Sequence, residues 1–139
     1  MAGNQISNLT VAAIPGSGGV GNYNTTAIGI TVEQDSAVNG NIIEGAAGGI
    51  KLGVAQGARD LACDGNLVRD CGVGIAFSSS AQAGKIVVRN NIISGAGANA
   101  IVSASTVGLV PPLTSYNANL ASQTAGSSGQ ILIVDNRAS

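Results

Sequence analysis

One asparagine recurs along this chain at a spacing that few folds accommodate. The recurring residues are Asn4, Asn41, Asn66, Asn91 and Asn136, and the two central intervals are both 25 residues long. A fixed period of this length is typical of one supersecondary unit that stacks on copies of itself. The spacing therefore predicts a repeat architecture, and we call these five residues the asparagine ladder.

Other positions follow the same period when they are counted from the ladder. Three apolar columns lie three residues before it (Met1, Val38, Cys63, Val88, Ile133), two after it (Ile6, Ile43, Val68, Ile93, Ala138) and five after it (Leu9, Ala46, Cys71, Ala96). A fourth column holds Ile50 and Ile75, each preceded by glycine, and it recurs one residue late at Ile101. Alternation between apolar and polar positions predicts β-strands whose columns point inward.

Two longer intervals predict insertions between regular units. The interval from Asn4 to Asn41 exceeds the period by 12, and the segment 15–26 has the composition of turns. The interval from Asn91 to Asn136 exceeds the period by 20, and this excess fits within the segment 103–130. We expect both insertions to form exposed loops. Each contains one of the two tyrosines, Tyr23 and Tyr116, which are candidate binding residues because tyrosine is enriched at interfaces.

The composition favours a narrow core without large aromatic residues. The chain of 139 residues is one domain by length, with 21 glycines, one phenylalanine and no tryptophan or histidine. Stacked Ile, Val, Leu and Ala can fill a core in which each coil contacts only its neighbours. We therefore predict an all-β fold, a parallel β-helix (β-solenoid) of about four coils that spans residues 1–139.

Charge and hydropathy exclude two classes of partner. The net charge is −1 and there is no cluster of Lys or Arg, so we expect no nucleic acid partner. No apolar run approaches the roughly 20 residues that span a bilayer, and we expect no membrane span. The pattern of a signal peptide is also missing from the sequence.

The two cysteines lie in inward columns and leave two interpretations open. Cys63 and Cys71 are either small buried hydrophobic residues or a disulfide within one coil. Two thiols without histidine make an incomplete zinc set, so we predict no metal and no cofactor.

The repeated motifs resemble those of a known architecture. The segments Gly40–Glu44, Gly48–Gly53, Gly65–Val68, Asn91–Ala96 and Asp135–Ser139 look like coils of a right-handed parallel β-helix of the pectate-lyase-like superfamily. They resemble most the C-terminal part of a family of uncharacterised, secreted bacterial repeat proteins that are exported by twin-arginine translocation. The resemblance implies a right-handed winding and an extracellular or periplasmic location, and it implies no particular activity.

The ladder and the charges both have structural explanations. Asparagine tolerates the left-handed backbone conformation of a sharp turn, and stacked asparagines can bind one another along the axis. The period also places Asp64 beside Arg89 and Glu44 beside Arg69 on adjacent units, which predicts surface ion pairs. A catalytic carboxylate paired with arginine is the alternative.

A second group of charged residues is the candidate for carbohydrate chemistry or binding. Glu33, Asp35, Arg59 and Asp60 lie near the ends of the Gly-Ile strands, and Lys51 is the nearest lysine. Two carboxylates about 5 to 9.5 Å apart can perform acid–base work on a glycoside. However, there is no histidine to act as a base and no tryptophan to stack on a sugar.

Two functional hypotheses follow. The first is a non-enzymatic structural or assembly module whose partner is itself, as a homo-oligomer or head-to-tail filament; the alternative is a carbohydrate-binding or carbohydrate-active domain with a polysaccharide partner. The first rests on the ends of the chain, where the last strand is apolar and an uncovered apolar edge pairs readily. The predicted end-to-end interface comprises Met1, Ile6, Ile131 and Ile133.

Overall fold

The computed structural model describes residues 3–7, 27–53, 58–78, 84–97, 99–104, 115–116, 120–125 and 131–139. Every regular element within these ranges is a β-strand. The strands are β1 (Gln5–Ser7), β2 (Ile28–Val32), β3 (Gln34–Asn39), β4 (Ile42–Glu44), β5 (Gly48–Leu52), β6 (Arg59–Asp64), β7 (Leu67–Arg69), β8 (Val73–Ser78), β9 (Ile86–Arg89), β10 (Ile92–Ser94), β11 (Asn99–Ala104), β12 (Ser115–Tyr116), β13 (Leu120–Ala125) and β14 (Ile131–Ala138). The predicted all-β class is confirmed.

Parallel pairing organises the strands into three faces. Face A contains β3, β6, β9 and the first half of β14, and face B contains β1, β4, β7, β10 and the end of β14. Because β14 continues from one face to the next, these two faces form a single sheet. Face C is the second sheet and contains β2, β5, β8 and β11, with β12 at its edge. This arrangement of parallel strands is compatible with a β-solenoid.

The register of the sheets follows the period of the sequence. Val38 pairs with Cys63 and Ile43 with Val68, and each pair is separated by one period of the ladder. On face C, Ile50 pairs with Ile75 one period later, whereas Ile75 pairs with Ile101, one residue beyond the period. The additional residue lies in the connection 95–98 between β10 and β11, against 70–72 between β7 and β8. Ile101 therefore comes one residue late in the sequence because the turn before β11 is one residue longer, and the pairing of the strands on face C is unchanged.

Left-handed residues form the corners between the faces. Gly3, Gly40, Gly65, Asn90 and Asp135 all have positive φ, from 54° to 66°, and each directly precedes a ladder asparagine. We expected the ladder asparagine itself to adopt this conformation, and that expectation is wrong. The preceding residue makes the turn because glycine, asparagine and aspartate tolerate positive φ best. The ladder side chain is then free to turn inward. Gly45, Gly53, Asp70 and Gly95 are left-handed in other connections between strands, and Asp35 and Asp60 are left-handed at the second residue of β3 and β6.

The core contains the predicted columns and one further column on face A, which the sequence analysis did not predict and which holds Leu61, Ile86 and Ile131. Every described member of the column three before the ladder is fully buried, namely Val38, Cys63, Val88 and Ile133. In the column two after it, Ile43, Val68 and Ile93 are buried, whereas Ile6 and Ala138 at the ends are partly buried. The isoleucine column of face C, Leu52 and Phe77 belong to the same continuous cluster.

A glycine column allows face C to approach face B. A Cβ atom built on Gly49 would lie 2.4 Å from Cγ1 of Val68, and one on Gly74 would lie 2.6 Å from Cγ2 of Ile93. The glycine of each Gly-Ile pair therefore leaves room for the branched side chain of the opposite face. Where Ala100 replaces this glycine, the opposite column has the smaller Ala138 in the following unit.

The first insertion is longer than the interval from Asn4 to Asn41 indicates. The connection from β1 to β2 covers residues 8–27, whereas the equivalent connection in the next unit is only 45–47. The connection from β2 to β3 is Glu33 alone, whereas the equivalent connection from β5 to β6 covers residues 53–58. A long insertion and a shortened corner therefore offset each other in part, and a count of intervals shows only their net effect. Residues 15–26 themselves lie outside the described residues.

The second insertion contains regular structure, which the prediction of a loop did not include. Its first residues, Ser103 and Ala104, belong to β11. Further along, β12 pairs antiparallel with β11, and β13 pairs antiparallel with β14. The other residues of this insertion lie outside the described part of the chain.

Neighbouring residues of β7 test the assigned faces. Val68 is fully buried, whereas Leu67 points to the outside. We expect Val68→Asp to abolish the cooperative unfolding transition, because it buries a charge that has no partner. Leu67→Asp should remain folded and unfold within about 1 kcal/mol of the wild type. Urea denaturation followed by circular dichroism measures both, and equal stability of the two variants would contradict the assignment.

Candidate functional site

The ladder asparagines form one continuous hydrogen-bonded line through the protein. The Oδ1 atom of Asn66 accepts from the backbone N–H of Asn41 at 2.9 Å and from its Nδ2 at 3.0 Å. Asn91 accepts from Asn66 in the same way, and Asn136 accepts from Asn91. At the other end Asn4 donates twice to Asn41. The line thus crosses the long interval before Asn136 with the same pair of bonds.

The remaining donors of the ladder bind backbone carbonyls. Nδ2 of Asn66 donates to Val38 at 2.8 Å, and Nδ2 of Asn91 donates to Cys63 at 3.1 Å. Nδ2 of Asn136 donates to Val88 at 2.8 Å. The four asparagines from Asn41 onward are at most 1% exposed. Their amide groups tolerate burial because each is satisfied as donor and acceptor. These bonds account for the ladder as a structural element, with no ligand required.

Cys63 is part of the same polar line. Its Sγ atom accepts from Nδ2 of Asn66 at 3.3 Å and donates to Oδ1 of Asn91 at 3.6 Å. Burial raises the pKa of this thiol to about 12, the Asn66 hydrogen bond lowers it in part, and the charge of Asp64 raises it further. Cys71 is also buried, and burial raises its pKa as well. Both cysteines are free, so the interpretation as buried thiols is confirmed and the disulfide is excluded.

Three ion pairs connect adjacent units on the outside. Glu44 binds Arg69 and Asp64 binds Arg89, each at 2.9 Å, as the period predicted. Asp35 binds Arg59 at the same distance. Asn90 and Arg89 lower the pKa of Asp64, in that order of effect, through hydrogen bonds and charge. Because these side chains are partly exposed to solvent, which screens their charges, each pair contributes at most about 1 kcal/mol.

The acidic residues are almost all explained by structure. The chain has seven, and three are in the ion pairs. Asp60, Asp70 and Asp135 have a left-handed backbone conformation, which aspartate tolerates better than most residues. The seventh is Glu33, which is exposed. Chemistry on a glycoside requires two cooperating carboxylates, and the neighbouring Asp35 is bound to Arg59.

The predicted binding residues are only partly brought together. Glu33 lies close enough to Lys51 for its charge to affect the lysine. Partial burial lowers the pKa of Lys51, and Glu33 opposes this effect. Asp35 is turned to Arg59. Tyr116 belongs to β12, and its backbone pairs with Ile101. Tyr23 lies outside the described residues. Among the described side chains of this set, the structure places Glu33 near Lys51 and pairs Asp35 with Arg59.

The premise of the end-to-end interface does not hold at the C-terminal strand. Ile131 and Ile133 are buried in the core, at 4% and 0% exposure. The edge of β14 over these residues pairs with β13, since Ile131 lies opposite Ala125 and Ile133 opposite Gln123. The sequence analysis treated this edge as uncovered because antiparallel pairing across an insertion leaves no periodic signal. Ile6 is partly buried against the core, and Met1 lies outside the described residues.

An outward-facing apolar stripe on face B is a feature that the sequence analysis missed. Ile42, Leu67 and Ile92 lie side by side in the parallel register, one residue after each ladder asparagine. Ile42 is 37% exposed and Ile92 is 53% exposed, whereas Leu67 between them is partly buried. Gln5 and Arg137 continue the row at its two ends. We call Ile42, Leu67 and Ile92 the face B stripe. In the sequence this stripe is a fifth apolar column, one residue after the ladder, and the alternation of inward and outward residues along a strand places it on the outside.

The other outer surfaces differ from this stripe. On face C, Val73, Ala76 and Val102 form a small buried cluster that is separate from the main core. On face A, the outward row changes from Ala37 and Ala62 to Val87 and Leu132, and Leu132 is 39% exposed. Among the described residues, the large hydrophobic side chains that remain exposed are Ile42, Ile92 and Leu132.

The surroundings of the stripe offer no metal centre. No group of three or more Cys, Asp or Glu that could hold an ion occurs in the described ranges. Over the same ranges, no helix is long and apolar enough to cross a membrane.

Comparison with protein-family models, with curated proteins and with solved structures finds no match. The suggested family therefore stays a prediction from the motifs.

Two adjacent asparagines provide a matched test of the ladder. Asn91→Gly removes a buried side chain with its hydrogen bonds to Asn66, Asn136 and Cys63. We expect a loss of at least about 3 kcal/mol, because several buried polar groups lose their partners. Asn90→Gly places glycine where Gly40 and Gly65 stand at equivalent corners, and should change stability by less than about 1 kcal/mol. Urea denaturation compares them, and an equal loss in both would contradict the role of the ladder.

The buried thiol predicts a dependence of stability on alkaline pH. The pKa of the Cys63 thiol is about 9 in the unfolded chain, whereas burial raises this pKa to about 12 in the folded protein. Between these values the unfolded state binds fewer protons, so stability falls as pH rises, by about 1.4 kcal/mol per pH unit for one thiol. Cys63→Val should reduce this slope. Urea unfolding at several alkaline pH values measures it, and an unchanged slope in the variant would contradict the assignment.

Proposed function

We propose that this protein is a non-enzymatic structural module, a right-handed parallel β-helix of about four coils. The periodic strand register and the corner glycines support the winding into coils. The right hand is the one implied by the resemblance to the pectate-lyase-like superfamily. An extracellular or periplasmic location rests on the resemblance alone and is part of the same proposal.

The distribution of the acidic residues is the observation that carries this proposal. An enzyme that hydrolyses glycosides on such a fold would need two carboxylates held near each other and available to substrate. Here the ion pairs and the left-handed corners account for six of the seven acidic residues. Glu33 remains, and the lysine near it is partly buried. The charged groups thus support the stack, and this favours a structural role over a catalytic one.

The face B stripe supports self-association as the means of assembly. The polarity of the row is symmetric about Leu67, because an isoleucine and then a polar residue follow on each side. In order, the row is Gln5, Ile42, Leu67, Ile92 and Arg137. A two-fold axis through Leu67 would bring Ile42 of one chain onto Ile92 of another, as an isologous contact requires. Three side chains cover a small area, so the expected association is weak. This lateral contact replaces the end-to-end contact that the sequence suggested.

Sedimentation velocity at rising protein concentration tests this proposal. We expect the wild type to form dimers and Ile92→Lys to weaken them at least about tenfold, since the variant places a charge in the apolar contact. Leu132→Lys is the control, because Leu132 is also an exposed apolar residue but lies on face A. It should associate like the wild type. A strictly monomeric wild type would contradict self-association, and release of sugars from a polysaccharide that is lost in Glu33→Gln would favour the carbohydrate-active alternative.

A further inference from the structure

Both sheets end at their C-terminal edge with an antiparallel strand. All neighbours from β2 to β11 on face C are parallel, and β12 then pairs antiparallel, with Ile101 opposite Tyr116 and Val102 opposite Ser115. On face A, the parallel series from β3 to β14 is followed by the antiparallel β13. A strand in the reverse direction cannot continue the parallel repeat. These two strands therefore mark where the stack stops.

The contact between β13 and β14 is the larger of the two. Five residue pairs are in register, from Leu120 opposite Asn136 to Ala125 opposite Ile131. This stretch of β14 includes the apolar sequence Ile-Leu-Ile-Val at residues 131–134. An apolar, β-branched strand with a free edge is a template for pairing with another chain. The position of β13 removes that edge from solvent.

We propose that β12 and β13 are an intramolecular cap, and that β13 occupies the place which β14 of a second copy would otherwise take. The competing occupant is a second copy because β14 can pair with itself about a two-fold axis. Two identical strands related by such an axis run antiparallel, which is the direction that β13 already has. The cap is thus an autoinhibitory contact against tail-to-tail pairing.

The side chains of β14 suit this self-pairing. Ile131 and Ile133 point to the core and Leu132 points outward. In an antiparallel pair, residues directly opposite lie on the same side of the sheet. Pairing of Ile133 with its copy would therefore keep the inward isoleucines of both chains on the core side. Such a contact closes on itself, so its product is a dimer, in contrast to the filament expected from head-to-tail contact.

The proposal does not depend on the face B stripe, and the experiment keeps the two contacts apart. All variants carry Ile92→Lys, which disables the stripe. In the uncapped variant, residues 105–130 are replaced by the sequence of residues 79–85, Ser-Ser-Ala-Gln-Ala-Gly-Lys, which connects the equivalent strands β8 and β9. The capped parent is expected to sediment as a monomer. The uncapped chain is expected to sediment as a dimer, with a dissociation constant at least about tenfold lower than that of the parent.

Two proline variants provide a version of the test that keeps the chain length. In an antiparallel ladder, adjacent residues alternate between an N–H that faces the partner strand and one that faces away. Of Gln123→Pro and Thr124→Pro, therefore, one removes a hydrogen bond to β14, whereas the other is tolerated at an edge. We expect one variant to dimerise and the other to stay monomeric. Both variants keep Ser122, the preceding residue of β13 that pairs with Val134.

The outcomes are distinguishable. Dimerisation of the uncapped chain, or of one proline variant, in the Ile92→Lys background supports the cap. An uncapped chain that keeps its strand circular dichroism and remains a monomer overturns it. If the deletion unfolds the protein, the proline pair decides, and two folded, monomeric proline variants overturn it as well. Equal dimerisation of capped and uncapped chains also overturns it, because the edge would then be accessible despite β13.

Discussion

Each ladder asparagine after Asn4 accepts two hydrogen bonds from the preceding one, one from its backbone and one from its side chain. Both bonds end on the same Oδ1 atom, as for Asn41 and Asn66. This double contact fixes two things at once, the distance between units and the position of each unit along its strand. A slip by one residue would break both bonds and turn the inward columns outward. The strand registers on faces A and B therefore depend on the ladder.

The ladder also explains how a core with few large side chains can hold together. The inward columns are Val, Ile, Leu, Cys and Ala, with Phe77 as the one aromatic residue of the core among the described residues. Such side chains specify position poorly, because many packings have similar energies. Buried amides accept only partners with the right geometry, and they are costly when unpaired. The polar line therefore supplies the specificity, and the apolar columns supply the burial.

The sequence predicted the periodic part of the structure and missed the non-periodic part. Interval counts placed Val38, Cys63 and Val88 in one column, and they located the late match at Ile101 correctly. The pairing of β13 with β14 repeats nowhere, so no column could reveal it. The left-handed corner was assigned one residue too late, although Gly40 and Gly65 were visible beside the ladder. The face B stripe was missed because columns were sought only for the core.

Exchange of the side-chain amide protons by NMR tests the central role of the ladder most directly. The Nδ2 protons of Asn41, Asn66, Asn91 and Asn136 are buried and bonded, whereas Asn39 is exposed on face A. The account predicts that the four ladder amides exchange only with global unfolding, at a rate that follows the unfolding free energy as urea is added. Exchange of the ladder amides as fast as that of Asn39 would contradict it.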